Sequence, residues 1–231
     1  GDGRTDGQVW DQYPFSEWRV EMKHFELTDE TTELLGGTVL HRIRATVDLP
    51  QHGVTAGDLG GWVEHEGNLG DTAWIGDEAQ VHGDALLTGN ARVYGSARVF
   101  GNARVYGDAA LFDRAQVYGT AQVYGKAVVH GDAVVYGAAQ VYGSARLYGG
   151  AAVGGNAVVC DRAGICDAAT VSGTAWVRGN ALVRGRAEII GDAMVYESQH
   201  VLVLGPVGSE NRWATLVRTD GGGHVLKIGC W

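Results

Sequence analysis

A six-residue period constrains the middle of this chain more tightly than any other feature. From Ala73 to Ala193 an alanine stands at every sixth residue, 21 times without a failure, and two residues after each stands Val, Ile or Leu, from Ile75 to Val195. Two residues before most of these alanines lies Gly, replaced by Asp at 71, 77, 113, 161 and 167, and the next residue favours Asp, Asn, Ser or Thr. A fixed short period marks a repeat architecture, in which each unit buries its apolar side only by stacking on its neighbours. Alanine and aliphatic are two residues apart, so both side chains leave a short strand on the same side. The Gly-Asp and Gly-Asn pairs suit corners, where the backbone leaves strand geometry. Strand and corner repeated three times close a triangle of 18 residues, so the 21 hexads make seven coils. At about 4.8 Å per coil the prism is roughly 30–35 Å long.

Three branched side chains per coil fill the narrow interior, and alanine leaves room for them beside the corners. Replacing an alanine of the middle coils by a bulky residue is therefore expected to damage the fold, at about 1–3 kcal/mol per overpacked site. The register starts earlier with Gly61-Trp62-Val63 and Gly67-Asn68-Leu69, where Gly stands in place of Ala, and it breaks after Tyr196 at Glu197-Ser198-Gln199. Leu40–Ala45 alternates as a strand. Val201–Leu204, Trp213–Thr219 and His224–Ile228 read as terminal strands, the last two joined as a hairpin by Asp220-Gly221-Gly222-Gly223. The expected organisation is an extension over 1–21, an N-terminal cap over 22–60, a β-solenoid over 61–197 and a C-terminal strand and hairpin cap over 198–231. The caps would cover strand edges that otherwise invite polymerisation.

Charge and composition exclude several classes. The net charge is −9, but residues 1–70 hold 5 Lys/Arg against 13 Asp/Glu, and the rest of the chain is close to neutral. No basic stripe suited to nucleic acid is present. No run of 18 apolar residues suggests a membrane span, and no secretory-type apolar stretch opens the chain, so a cytoplasmic protein is expected. Cys160, Cys166 and Cys230 make no disulfide framework. The first two share a repeat position in successive hexads, hence different faces, and read as free thiols in a reducing compartment. Their spacing matches no zinc pattern.

Lys23–Thr28, Leu40–Ala45 and Gly57–Glu64 resemble a bacterial group, the phage- and prophage-associated hexapeptide-repeat proteins, which are often labelled acyltransferases. The V-Y-G-D-A and V-Y-G-N-A repeats, Gly205-Pro206-Val207-Gly208-Ser209 and Ile228-Gly229-Cys230-Trp231 are similar too. The resemblance covers roughly residues 22–231 and begins at Met22, which is why residues 1–21 are set aside from the fold reading. It implies a left-handed parallel β-helix of the trimeric hexapeptide superfamily, the cytoplasm of a bacterial or phage-infected cell, and little about activity. Two features depart from it. In the acyltransferase signature Gly directly follows the aliphatic, whereas here an aromatic intervenes. Members also tend to continue past the Gly-Cys-Trp strand into a helical tail, and this sequence ends at Trp231.

The residue after the aliphatic points outward and carries eight of the nine tyrosines. An 18-residue coil aligns Tyr106, Tyr124 and Tyr142 on one face, Phe100, Tyr118 and Tyr136 on a second, and Tyr94, Phe112, His130 and Tyr148 on the third. Such ladders stabilise a sheet through stacked pairs. The alternative is an aromatic wall for self-association, a protein partner or a glycan, in which case these tyrosines and phenylalanines are the binding residues. Arg92, Arg98 and Arg104 stand on three successive strands, one per face, as a charged belt able to lie over neighbouring rings.

A hexapeptide acyltransferase needs a histidine general base beside a loop that interrupts the coils. The hexads contain no insertion, and the candidate bases, His82 and His130, fall on different faces with no acidic residue evidently placed to orient either. Both read as substitutes for Tyr in the ladders. Three histidines converging on zinc, flat Thr ladders of the ice-binding kind, a Ser-His-Asp set and a phosphate-binding Gly loop find no support. The sequence thus points to an all-β solenoid without cofactor or metal, serving as a structural or interaction scaffold that is oligomeric through its aromatic faces. CoA-dependent acyl transfer is the alternative, and filament formation by end-to-end stacking depends on how the caps cover the ends.

Overall fold

The computed structural model describes residues 23–207, 212–218 and 223–228. The extension over 1–21, the Asp220-Gly221-Gly222 link, Cys230 and Trp231 lie outside the described residues. Each hexad contributes one two-residue strand, from Trp74–Ile75 to Met194–Val195, and strands three hexads apart pair in parallel. Val117, for example, lies between Val99 and Val135 in register. The 18-residue coil read from the period is the coil observed. The strands form three sheets: face I from Gln80–Val81 to Glu188–Ile189, face II from Trp74–Ile75 to Leu182–Val183, and face III from Leu86–Leu87 to Met194–Val195.

The hexad explains the stacking in detail. The three residues at alternate positions donate their amides to the next coil, as Ser96 to Asp113 O, Arg98 to Ala115 O and Phe100 to Val117 O, at 2.6–3.0 Å. All 21 alanines are exposed by 2 % or less, and the aliphatics two residues later are fully buried. The corner residue has positive φ, and the five aspartates that replace glycine there share it, from 50° at Asp71 to 60° at Asp167. A left-handed conformation costs a residue with a Cβ about 1–2 kcal/mol. Each aspartate offsets this by accepting the amide of the corresponding corner one coil on: Asp71 from Gly89, Asp77 from Gly95, Asp113 from Gly131, Asp161 from Gly179 and Asp167 from Gly185, at 2.8–2.9 Å. A glycine corner such as Gly119, at φ +76°, has no such acceptor, but a Cβ there would stand 2.8 Å from Gly137 O.

The direction of these bonds gives the prism a carbonyl end and an amide end. At the carbonyl end, β1 (Phe25–Glu33) and β2 (Val39–Ala45) form an antiparallel hairpin, and β2 pairs with β3 (Leu59–Val63). β3 in turn pairs in parallel with Gln80–Val81 and so prolongs face I. Leu69 bridges Leu87 in parallel, so the solenoid register does begin before Ala73. On the other two faces side-chain donors replace a strand. His24 reaches Ala73 O and His52 reaches Thr72 O, each at 2.7 Å, and Asn68 Nδ2 donates to Gly83 O and Ala85 O, each at 2.9 Å. Asn68 is fully buried, and its Oδ1 accepts the amides of Glu64 and His65, so every polar atom of the side chain is used.

The amide end is closed in the opposite sense, by acceptors. Ser198 Oγ takes the Leu182 amide on face II, Thr215 Oγ1 that of Glu188 on face I, and His200 Nδ1 that of Tyr196 at the end of face III. Ser198 and His200 belong to the 3-10 turn Ser198–His200, where the hexad pattern fails. Beyond it the strands Val201–Val207, Arg212–Arg218 and His224–Ile228 make a separate antiparallel sheet, whose Val217 joins the solenoid core. Each face thus gains at least one partner for its unpaired backbone groups at either end, which interrupts the open parallel edge. Among the described residues no helix is long and apolar enough to cross a membrane.

Candidate functional site

The outer faces carry the chain's distinctive chemistry, and the rings align as the period requires. On face III, Tyr106, Tyr124 and Tyr142 stack with centroids 4.7 and 4.8 Å apart and planes within 9°. On face I, Phe100, Tyr118 and Tyr136 stack at 4.9 and 5.8 Å, and His82 lies on Phe100 at 5.2 Å and 2°. Face II holds two pairs, Tyr94 with Phe112 at 6.2 Å and His130 with Tyr148 at 5.5 Å. The spacing follows the distance between paired strands, so each ring meets its neighbours face to face and turns its edge to solvent. Glutamines on the adjoining strands accept from two phenols, Gln122 from Tyr106 at 3.2 Å and Gln140 from Tyr124 at 3.4 Å. Arg92 of the belt lies over Phe112, 5.9 Å from its centroid, and Arg178 covers Tyr196 at 4.3 Å.

Each ladder ends on a small residue, a relation that follows from the period but is not apparent along the sequence. A Cβ on Gly154 would fall 2.1 Å from the Tyr136 ring, so that ring lies flat on the glycine. One hexad later on face III the Tyr142 hydroxyl lies by the Cys160 thiol, and on face II that of Tyr148 lies by Cys166. Gly154, Cys160 and Cys166 stand in three successive hexads, one per face, beneath the last tyrosine of each ladder. This corrects the expectation that the residue after the aliphatic always faces solvent, since Cys160 is 3 % and Cys166 4 % exposed. Interaction with the thiol, together with burial, pushes the Tyr142 phenol up to about 12, and burial raises Cys160 as well. Both are thus held protonated at neutral pH.

The candidate bases stand apart, as their positions in the repeat require. His82 is on face I, where burial lowers its pKa against the opposing pull of Glu64. His130 is on face II. The reading that no acidic residue orients either one is corrected for His130: Asp113 Oδ2, at the corner one coil earlier, lies 3.7 Å from its Nδ1. The same oxygen already accepts the Gly131 amide, so the aspartate is held in place by the corner itself. Among the described residues no three His, Cys, Asp or Glu side chains gather as metal ligands.

A family model described as the YdcK beta solenoid repeat matches residues 97–110. That stretch comprises two full hexads and the start of a third within the second and third coils. No curated protein matches the chain. The match and the coil geometry agree on a repeat β-solenoid.

Proposed function

We propose that this protein is a non-catalytic, rigid scaffold. The observation that carries this reading is the unbroken coil-to-coil pairing of all 21 hexads, with aromatic columns braced along each side. A shaft of this kind presents fixed spacings and does not close around a substrate. The aromatic sides, Tyr94 and Phe112 among them, are the surface it offers to a protein partner or to further copies of itself, through ring edges and phenol hydroxyls. Ring faces engaged with one another suit a protein contact better than a sugar, which would need a free face. The likeness of residues 23–64 to phage-associated hexapeptide proteins supports a phage-derived origin and the cytoplasm of a bacterial or infected cell.

One observation favours a second reading. The Asp113–His130 approach is the pairing that a general base in a CoA-dependent acyltransferase would use. Against it, His130 is stacked flat on Tyr148 and its aspartate is occupied by a corner amide. Calorimetric titration with acetyl-CoA distinguishes the two, with no binding heat expected. Saturable binding, with acyl transfer lost in His130→Ala, overturns the scaffold reading. For the surface, sedimentation at increasing concentration is expected to show association that Tyr124→Ser weakens. A monomer throughout rules out self-association through the aromatic faces.

A further inference from the structure

The N-terminal cap is fastened to face II by two imidazoles on neighbouring carbonyls. His24 lies just before β1, and His52 ends the 3-10 turn Pro50–His52. Their Nε2–H groups donate to Ala73 O and Thr72 O, each at 2.7 Å. Neither bond continues a strand ladder. Together they hold residues 46–54 and the approach to β1 over the first strand of the face, whose Trp74 is 1 % exposed. We propose that His24 and His52 form an acid-releasable clasp, which holds this flank of the cap closed at neutral pH and frees it when both rings take up a proton.

The reason lies in what each ring nitrogen meets. A neutral imidazole satisfies its carbonyl with Nε2–H and leaves Nδ1 as a lone pair. His52 Nδ1 is buried with no partner. As a lone pair it is tolerated there, but protonation makes it a donor with no acceptor in reach, cut off from water. The surroundings of the two rings are mixed. Asp71 favours a charge on His24, Lys23 and Asp48 line the same groove, and the Phe25 ring makes an edge-type contact with centroids 5.0 Å apart. Around His52 are Arg92, which opposes a charge, Tyr94, whose hydroxyl donates to His52 O at 3.4 Å, and Asp108 and Lys126 further along the same corner. Each carbonyl bond favours the charged ring, yet burial outweighs it and lowers both histidines below the ordinary value of 6.5, and His24 further opposes a charge on His52. The closed cap therefore binds fewer protons than the open one. Closure is complete above the ordinary imidazole range and weakens as the pH falls through 6.5 towards the lowered values.

The release is local. The pairing of β2 with β3 uses backbone groups that carry no titratable proton, so the hairpin stays on face I while His24 leaves Ala73 O and residues 46–57 lift from Thr72 O. Hydrogen exchange of the full chain from pH 7.5 to 5.5, corrected for the pH dependence of intrinsic exchange, tests this. Amides over 46–57, among them those bonded as Leu49 N–Val54 O and Gly57 N–Ala45 O, are expected to lose protection at least tenfold relative to coils 91–165. In His24→Gln combined with His52→Gln, the side-chain amides donate from the same place without titrating, and protection is expected to hold across the range. The proposal is overturned if residues 46–57 track the coils in the unmodified protein, or if the double variant opens over the same pH window. Should the double variant fail to fold, imidazole titration by nuclear magnetic resonance in the unmodified protein decides. Titration of the two rings must coincide with the change in the 46–57 amide signals, and separate midpoints overturn the clasp.

Discussion

Gly154→Ala tests whether the small residues at the ends of the ladders are there to receive the last tyrosine. The new Cβ would lie 2.1 Å from Cζ of Tyr136 and 2.4–2.5 Å from its two Cε atoms. Ordinary carbon contacts lie near 3.5–4.0 Å, so the ring must move by about 1.5 Å. The backbone at Gly154 needs no positive φ, so alanine adds no strain of its own. Displacement of Tyr136 costs its seat on the coil and part of its stack on Tyr118, now at 5.8 Å and 20°. A stacked pair contributes about 0.5–1.5 kcal/mol beyond its buried area, so the expected loss of stability is about 1 kcal/mol. The decisive measurement is a double-mutant cycle with Tyr136→Ala in denaturant unfolding. In the Tyr136→Ala background, Gly154→Ala should be neutral or slightly stabilising, because alanine suits a strand better than glycine. The expected coupling is about 0.5–1.5 kcal/mol. Equal effects of Gly154→Ala with and without the tyrosine refute the idea that the ring dictates the glycine.

Three further outcomes follow from the same geometry. Asp113→Ala keeps the positive φ but loses the bond to Gly131, and should destabilise by about 1–2 kcal/mol, whereas Asp113→Gly relieves the backbone and should lie within about 1 kcal/mol of the parent; a reversed order in thermal unfolding contradicts the corner account. Val117→Ala removes two methyl groups at a fully buried site between Val99 and Val135 and should cost about 1–3 kcal/mol by denaturant titration, against less than about 0.5 kcal/mol for the exposed Arg98→Ala. In spectrophotometric titration one tyrosine should ionise near 12, and Cys160→Ala should bring it down. Because that phenol is harder to ionise in the folded chain than its ordinary value of 10, its contribution to stability is fully present below pH 10 and is lost as the pH rises from 10 through about 12.

Much of this protein was legible along the chain because its central contacts repeat at one fixed interval. Once a coil is 18 residues, Tyr106 must meet Tyr124, Phe100 must meet Tyr118, and Arg92 must approach Phe112. The same interval places Cys160 under Tyr142 and Gly154 under Tyr136, yet that pairing of large with small is easily passed over, because each ladder reads as simply ending. The Asp113–His130 approach was also within reach: a corner residue and the residue 17 later are neighbours across one coil. It was missed because aspartate at a corner first suggests backbone tolerance, and its second role depends on which side chain the next coil presents. The buried state of Cys160 and Cys166 could not be read from their repeat position alone. It depends on the tyrosine rings of the preceding coil leaning over them.

The hexad alone determined the strand length, the corner chemistry, the three-sided coil and the occupants of every ladder. Stacking is a one-dimensional problem in which each coil answers only to the coils on either side. The tertiary structure decided how that repetition stops. At the carbonyl end the donors are His24, His52 and Asn68, and at the amide end the acceptors are Ser198, His200 and Thr215. Apart from Asn68, which stands where the register begins, these residues lie outside the repeat, and their partners stand at separations from 4 to 49 residues. An end has no next coil to supply its hydrogen bonds, so its partners come from wherever the chain folds back, and only the assembled caps show which side chains those are.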